Sequence, residues 1–181
     1  MIFLPFANSI IISILAVDVK PLFCYTIRMV RSLAIAFLFA AVGVGIGAWL
    51  FADTKPRSFL RPSECAPHCL SEQEILGLLG SVGVQRLSGA IPRVEKETDK
   101  TIVVSHPRPT ADIHYVVIPK RDMKAVEDVA AEDMEYLVDA YATMGAIIKE
   151  QNLRNYKVVT NGPGFQTVGY LHFHLVSELP E

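Results

Sequence analysis

Apolar positions follow three different rhythms along this chain. Through the first 52 residues they are nearly continuous. Ser32 to Ala52, SLAIAFLFAAVGVGIGAWLFA, contains no charged residue, and about 20 apolar residues is the length a helix needs to cross a bilayer core. Trp49 stands near one end, Arg28 and Arg31 precede the run, and Asp53, Lys55, Arg57 and Arg61 follow it. A buried core helix is the competing reading, and the long uncharged run favours a membrane span over residues 32–52. Ile2 to Val17 is a second apolar run, broken by Pro5 and Asn8, short for a span and without the basic start of a signal peptide. Met29-Val30-Arg31 opens onto the apolar run as an amino terminus would. Residues 1–31 are therefore expected to be an N-terminal extension, translated only from Met29. Lys20, Arg28 and Arg31 balance Lys55, Arg57 and Arg61, so basic residues do not choose an orientation. A cleaved signal ending near Ala52 is the alternative to an anchor.

The rest alternates between periods of two and three to four. Pro56, Pro62 and Pro67 amid scattered charge predict a linker over 53–70. Ser71-Glu72-Gln73-Glu74 has the capping-box pattern and predicts a short helix over roughly 72–80. Gly89 and Pro92 punctuate the next stretch, after which 100–104 and 113–118 read as strands, the second stopped by Pro119. Met134, Leu137, Val138, Tyr141, Met144 and Ile148 recur at three and four, the stripe of a core-packing helix. Residues 157–160 form another strand, Asn161-Gly162-Pro163-Gly164 a turn, and Gln166 to Val176, QTVGYLHFHLV, the last strand. Strands, one long helix and strands again predict an α+β domain over 71–181 with a mainly antiparallel sheet.

Composition narrows this picture. The 181 residues suffice for one domain with a real core, and a net charge of −2 with pI 6.2 gives no bulk electrostatic case for nucleic acid. Cys65 and Cys69 bracket His68, and Cys24 stands alone. A disulfide, a metal site lacking its other ligands, and two unrelated cysteines all remain open.

The candidate chemistry lies in the last strand. Alternation puts Val168, Tyr170, His172, His174 and Val176 on one face, and Leu171, Phe173 and Leu175 on the face a core wants. A neutral imidazole is a nucleophile and base near pH 7, and two side by side can divide attack and donation between them. Metal ligation with His114 as a third ligand is an alternative, as is a merely solvated polar face. The glycine-containing turn before the strand lets backbone N–H groups approach an anion, with Gln166 and Thr167 as further donors.

QTVGYLHFHLV resembles the signature of the histidine triad (HIT) family, in which histidine and apolar residues alternate after a Gln-Ser or Gln-Thr pair. ADIHYVVIPKRD, Ala111 to Asp122, resembles the family's earlier motif, a strand histidine followed by an apolar run ending in Pro-Lys. The similarity spans about residues 85–177. It implies an α+β fold that commonly dimerises and reaction at the α-phosphate of nucleotides through a nucleotidyl-histidine. By position His172 is then the nucleophile, His174 contacts phosphate or leaving-group oxygens, and His114 supports the nucleophile. Gln166 and Thr167 are the phosphate-side pair, and Asn161 and Gly164 belong to the substrate-side turn. One departure stands out: Tyr170 occupies the first triad position, where a phenol keeps one structural hydrogen bond but not two. Arg121-Asp122 is a second, at a place where many relatives carry another histidine.

The expected protein is a membrane-tethered, homodimeric nucleotide phosphoramidase or dinucleoside polyphosphate hydrolase, with no metal or other cofactor and its domain on the cytoplasmic side. The alternatives are a catalytically weak nucleotide-binding or scaffold protein of the same fold, and a metal-binding protein using His114, His172 and His174.

Overall fold

A computed structural model describes residues 19–60 and 71–178. The apolar run before Val17, the Cys65–His68–Cys69 cluster and the chain end lie outside the described residues. The chain divides into two compact units, Met1–Trp49 and Leu50–Glu181.

The described residues of the first unit lie in one helix, α1 (Val19–Phe51), starting well before Ser32. Within its stretch Tyr25–Phe51 the most apolar 18 residues have a mean hydropathy of 2.3, and none of them is buried. Large side chains such as Phe37, Phe39 and Val44 stand exposed around it. A helix that is apolar all round needs an apolar surrounding of its own.

The second unit is built on a five-stranded antiparallel sheet in the order β1-β2-β3-β5-β4, with β1 Val94–Glu97, β2 Thr101–Ser105, β3 Ile113–Pro119, β4 Tyr156–Val159 and β5 Phe173–Ser177. β-Branched residues dominate β2 and β3, whose pleated faces pack them well. Helix α2 (Glu72–Arg86) precedes the sheet, and α3 (Met134–Glu150) crosses from β3 to β4. Val103, Val117 and Leu175 meet Ala140, Met144 and Ile147 of α3 in one core.

Four elements differ from the sequence expectation. On α3 the buried line is Ala140, Thr143, Met144 and Ile147, with Leu137 and Ile148 partly covered. Met134, Val138 and Tyr141 are instead 50%, 62% and 57% exposed. Ala140 and Thr143 on that line are small, and a search for large apolar residues overlooks them.

Helix α2 runs on to Arg86, past the expected end near residue 80. Gly77 serves close approach, since a Cβ there would collide with the backbone of Gly169. Ser71 caps the helix by accepting from the Glu74 N–H at 3.2 Å. The Glu74 carboxylate does not reach back, and accepts from the Ser58 N–H and Lys124.

The expected linker is, in its described part, a strap. Arg57 is fully buried, its guanidinium donating to both oxygens of Asp122 at 2.8 Å and to the Gly169 carbonyl at 3.0 Å. The Lys55 N–H also donates to Asp122, and Asp53 pairs with Arg86.

The last strand begins only at Phe173. Gly169 donates to Gln73 O and Leu171 to Met123 O, while Arg57 takes the Gly169 carbonyl. With their backbone groups committed to three other segments, residues 166–172 have no ladder to join. Leu171, Phe173 and Leu175 nevertheless face the core as expected, each at most 5% exposed.

Candidate active site

Strand pairing brings the histidines together. His174 lies opposite Val116 and His114 opposite Val176, so the two histidines are diagonal neighbours on one face of adjacent strands. His172 stands just before β5, and its ring meets that of His174 edge-on with centroids 4.9 Å apart. His106, in the connection after β2, stacks parallel on His114 at 4.1 Å.

The hydrogen bonds assign the tautomers. The Thr110 N–H donates to His114 Nδ1 at 3.2 Å. His114 therefore carries its proton on Nε2, which donates to His174 Nδ1 at 2.9 Å. That leaves His174 with an N–H at Nε2. His172 Nδ1 donates to the Tyr170 carbonyl at 2.7 Å, which leaves the lone pair on Nε2.

Burial keeps these rings neutral. Desolvation pulls His174 from the usual 6.5 to about 4, with neighbouring His172, His114 and His106 acting the same way. Desolvation also lowers His114, helped by the charge His106 would carry. For His172 desolvation lowers the pKa and the bond to the Tyr170 carbonyl partly offsets it.

His172, His174, Gln166, Thr167 and Asn161 line a cavity of about 420 Å³, together with His106. Its apolar wall comes from Val84 of α2, Val116, Ile118, Phe165 and Val168. Five expected site residues are thus gathered at one cavity. His114 is not among the lining residues, and its ring bonds to His174 rather than to His172. Gly164 is exposed on the turn and does not line the cavity. Gln166 donates from Nε2 to the Lys124 carbonyl, while its buried Oε1 has no protein partner.

The sequence pattern did not reveal His106, Arg57 or the α2 wall. His106 lies beyond the alternation of β2, and Arg57 looks like any basic residue after an apolar run. Only their positions in space mark them.

Tyr170 is 2% exposed, and its hydroxyl donates to the Pro119 carbonyl at 2.7 Å. Burial pushes the phenol well up, so the donor persists at every ordinary pH. The bond that sets His172 comes from the backbone of residue 170, whatever side chain stands there.

A family model described as the scavenger mRNA decapping enzyme C-terminal binding domain matches residues 88–180, just over half the chain. The chain belongs to the HIT family. A HIT-like protein of Chlamydia muridarum is 30% identical over 83 residues, covering 44% of this chain and 66% of the relative. The chain thus spans about two thirds of that protein's length. Mouse HINT3, an adenosine 5'-monophosphoramidase, is 23% identical over 100 residues, covering 52% of this chain and 61% of its own. The crystal structure of a HIT family hydrolase from Legionella pneumophila aligns over 54% of this chain and 91% of its own, with a TM-score of 0.49 and 26% identity.

Proposed function

We propose that this HIT protein cleaves a nucleotide at its α-phosphate through a nucleotidyl-His172 intermediate. The observation that carries the reading is the pair of fixed tautomers at one cavity: a lone pair on His172 Nε2 beside an N–H on His174 Nε2. In the first displacement the His172 lone pair forms a bond to phosphorus, and the leaving group departs with its electron pair and takes a proton from water. The ring becomes cationic, which strengthens its Nδ1–H bond to the Tyr170 carbonyl. Water then attacks the same phosphorus, loses a proton to solvent and releases His172 as a neutral imidazole. His174 stays neutral and stabilises the developing charge on a phosphoryl oxygen by donation.

The test is turnover of adenosine phosphoramidate and of a dinucleoside polyphosphate by the full chain, beside His172→Ala, with intact-mass spectrometry for the adduct. Turnover and adduct that both survive the substitution would overturn the reading.

Two further parts of the reading concern surroundings. Helix α1 acts as a membrane anchor with the catalytic unit in the cytoplasm, supported by its apolar length; release by alkaline carbonate would refute anchoring, and protease access from outside would refute the sidedness. The unit forms a homodimer through the exposed Met134, Val138 and Tyr141 of α3 and the edge strand β4, whose Tyr156 and Val159 are exposed. A monomeric mass by light scattering in detergent would refute that.

A further inference from the structure

We propose that Gln73 of α2 is a positioning residue for the site: it holds the turn that carries Gln166 and Thr167, and so sets how tightly the cavity grips the phosphate of its ligand. Helix α2 lies ahead of residues 88–180, the part matched by the family model, so this hold is exerted from outside the matched domain. The Gln73 carboxamide has two N–H donors. Its Nε2 lies 3.0 Å from the Pro163 carbonyl and 2.8 Å from the Gln166 carbonyl, and donates to both. Turned over, the same group would set its oxygen against two carbonyl oxygens, so the network fixes its orientation. The Gln73 main-chain carbonyl accepts from the Gly169 N–H at 3.0 Å. One residue thus holds positions 163, 166 and 169 of the segment that brings Gln166, Thr167 and Val168 to the cavity.

Two glycines make the approach possible. A Cβ on Gly77 would collide with the Gly169 backbone, and one on Gly169 would stand 3.0 Å from the Gln73 carbonyl oxygen. Between the two held points, Gln166 and Gly169, the main-chain N–H groups of Thr167 and Val168 donate to none of the described residues. Both residues line the cavity, beside Asn161 and His174. Successive N–H groups left open at a cavity suit an anion. Because Gln73 holds the residues on either side of this pair, its carboxamide governs where the two donors stand.

The hold acts on one end of the ligand only. Gln73 does not itself line the cavity, and the apolar wall available to the nucleoside comes from Val84, Val116 and Ile118. Loss of the carboxamide should therefore weaken the hold on a phosphate and spare the hold on a nucleoside. Gln73→Met keeps the length, the helix propensity and the main-chain carbonyl while removing both donors. The inference rests on the reading that a nucleotide phosphate occupies this cavity, but not on its cleavage there.

The experiment is calorimetric titration of the full chain in detergent with AMP and, separately, with adenosine, for the wild type, Gln73→Met and Gln73→Ala. The wild type is expected to bind AMP more tightly than adenosine. Each variant should lose about fivefold to tenfold on AMP and bind adenosine as the wild type does. Unchanged AMP affinity in the variants overturns the proposal, as does a wild type that holds AMP no more tightly than adenosine. Equal losses on both ligands overturn it too, since they mark a merely structural role. Hydrogen exchange by NMR on the wild type decides the matter even where both variants fail to fold. By linkage, a phosphate that depends on the Gln73 bonds must strengthen them in return. AMP, and not adenosine, should therefore slow exchange of the Gln73 carboxamide protons and of the Thr167 and Val168 amides; no slowing overturns the proposal. A variant that loses AMP affinity, beside a wild type that turns over neither test substrate, sinks the hydrolase reading alone. Turnover in the wild type with unchanged AMP affinity in both variants sinks this one alone.

Discussion

The two sides of the cavity are held by different means. On the side of the proposed nucleophile, His172 is set by a main-chain carbonyl, and the segment carrying it is bound through main-chain groups to Gln73, Met123 and Arg57. On the side proposed to meet the phosphate, His174 is set by His114, itself held by the Thr110 N–H, with His106 stacked behind. A backbone-held group tolerates a change of neighbouring side chain, whereas a relay of side chains does not. The contrast accounts for a tyrosine at the first triad position beside an intact His172 tautomer.

Substitutions can break this contrast, and their effects should fall in a definite order. His172→Ala removes the proposed nucleophile and should lower turnover by about a thousandfold or more, with no adduct in the mass spectrum. Arg57→Ala strikes the nucleophile side through its scaffold. It leaves the Asp122 carboxylate, 1% exposed, without its buried partner, and the expected loss is about 3–5 kcal/mol in urea unfolding of the full chain. A loss near zero would mean the strap is not needed for stability.

On the other side, His114→Phe should keep the stack with His106 and abolish the relay. His174 is then free to adopt the wrong tautomer, with turnover falling on the order of tenfold to a hundredfold while the adduct still forms. Tyr170→Phe is expected to cost only about 1 kcal/mol of stability, through the orphaned Pro119 carbonyl, and to leave the His172 tautomer unchanged by nitrogen NMR. A large activity loss in that variant would show that the phenol, and not the backbone, sets the nucleophile.

Acidification sharpens the comparison most gently. His174 titrates at about 4 in the folded chain against 6.5 when unperturbed, so between those values the unfolded chain binds a proton that the folded chain refuses. The stability this gives is complete above pH 6.5 and is lost as pH falls toward about 4. His114 and His172 shift in the same direction. Replacing His174 with Asn should flatten that slope in urea midpoints measured across the range.

Local pattern determined a good deal of this protein. Alternation in LHFHLV placed Leu171, Phe173 and Leu175 in the core and the histidines opposite, because side-chain direction in extended chain depends on parity alone. The Ser71 cap, the strands at β2 and β3 and the long α3 followed from equally local rules. The lining of the cavity was legible as far as His172, His174, Gln166, Thr167 and Asn161, which crowd into one stretch of chain.

Tertiary structure decided the rest, since each remaining feature depends on segments far apart in sequence. The partner of His114 is set by strand register, which pairs residue 114 with 176 rather than 172. The buried face of α3 is set by the sheet it packs against, and the start of the last strand by which distant groups claim the backbone of residues 169–171. Arg57 is buried because Asp122 and the Gly169 carbonyl wait there, at positions 65 and 112 residues further along. His106 reaches its place in the same way: the chain turns back after β2 and lays its ring on that of His114, an encounter no periodicity encodes.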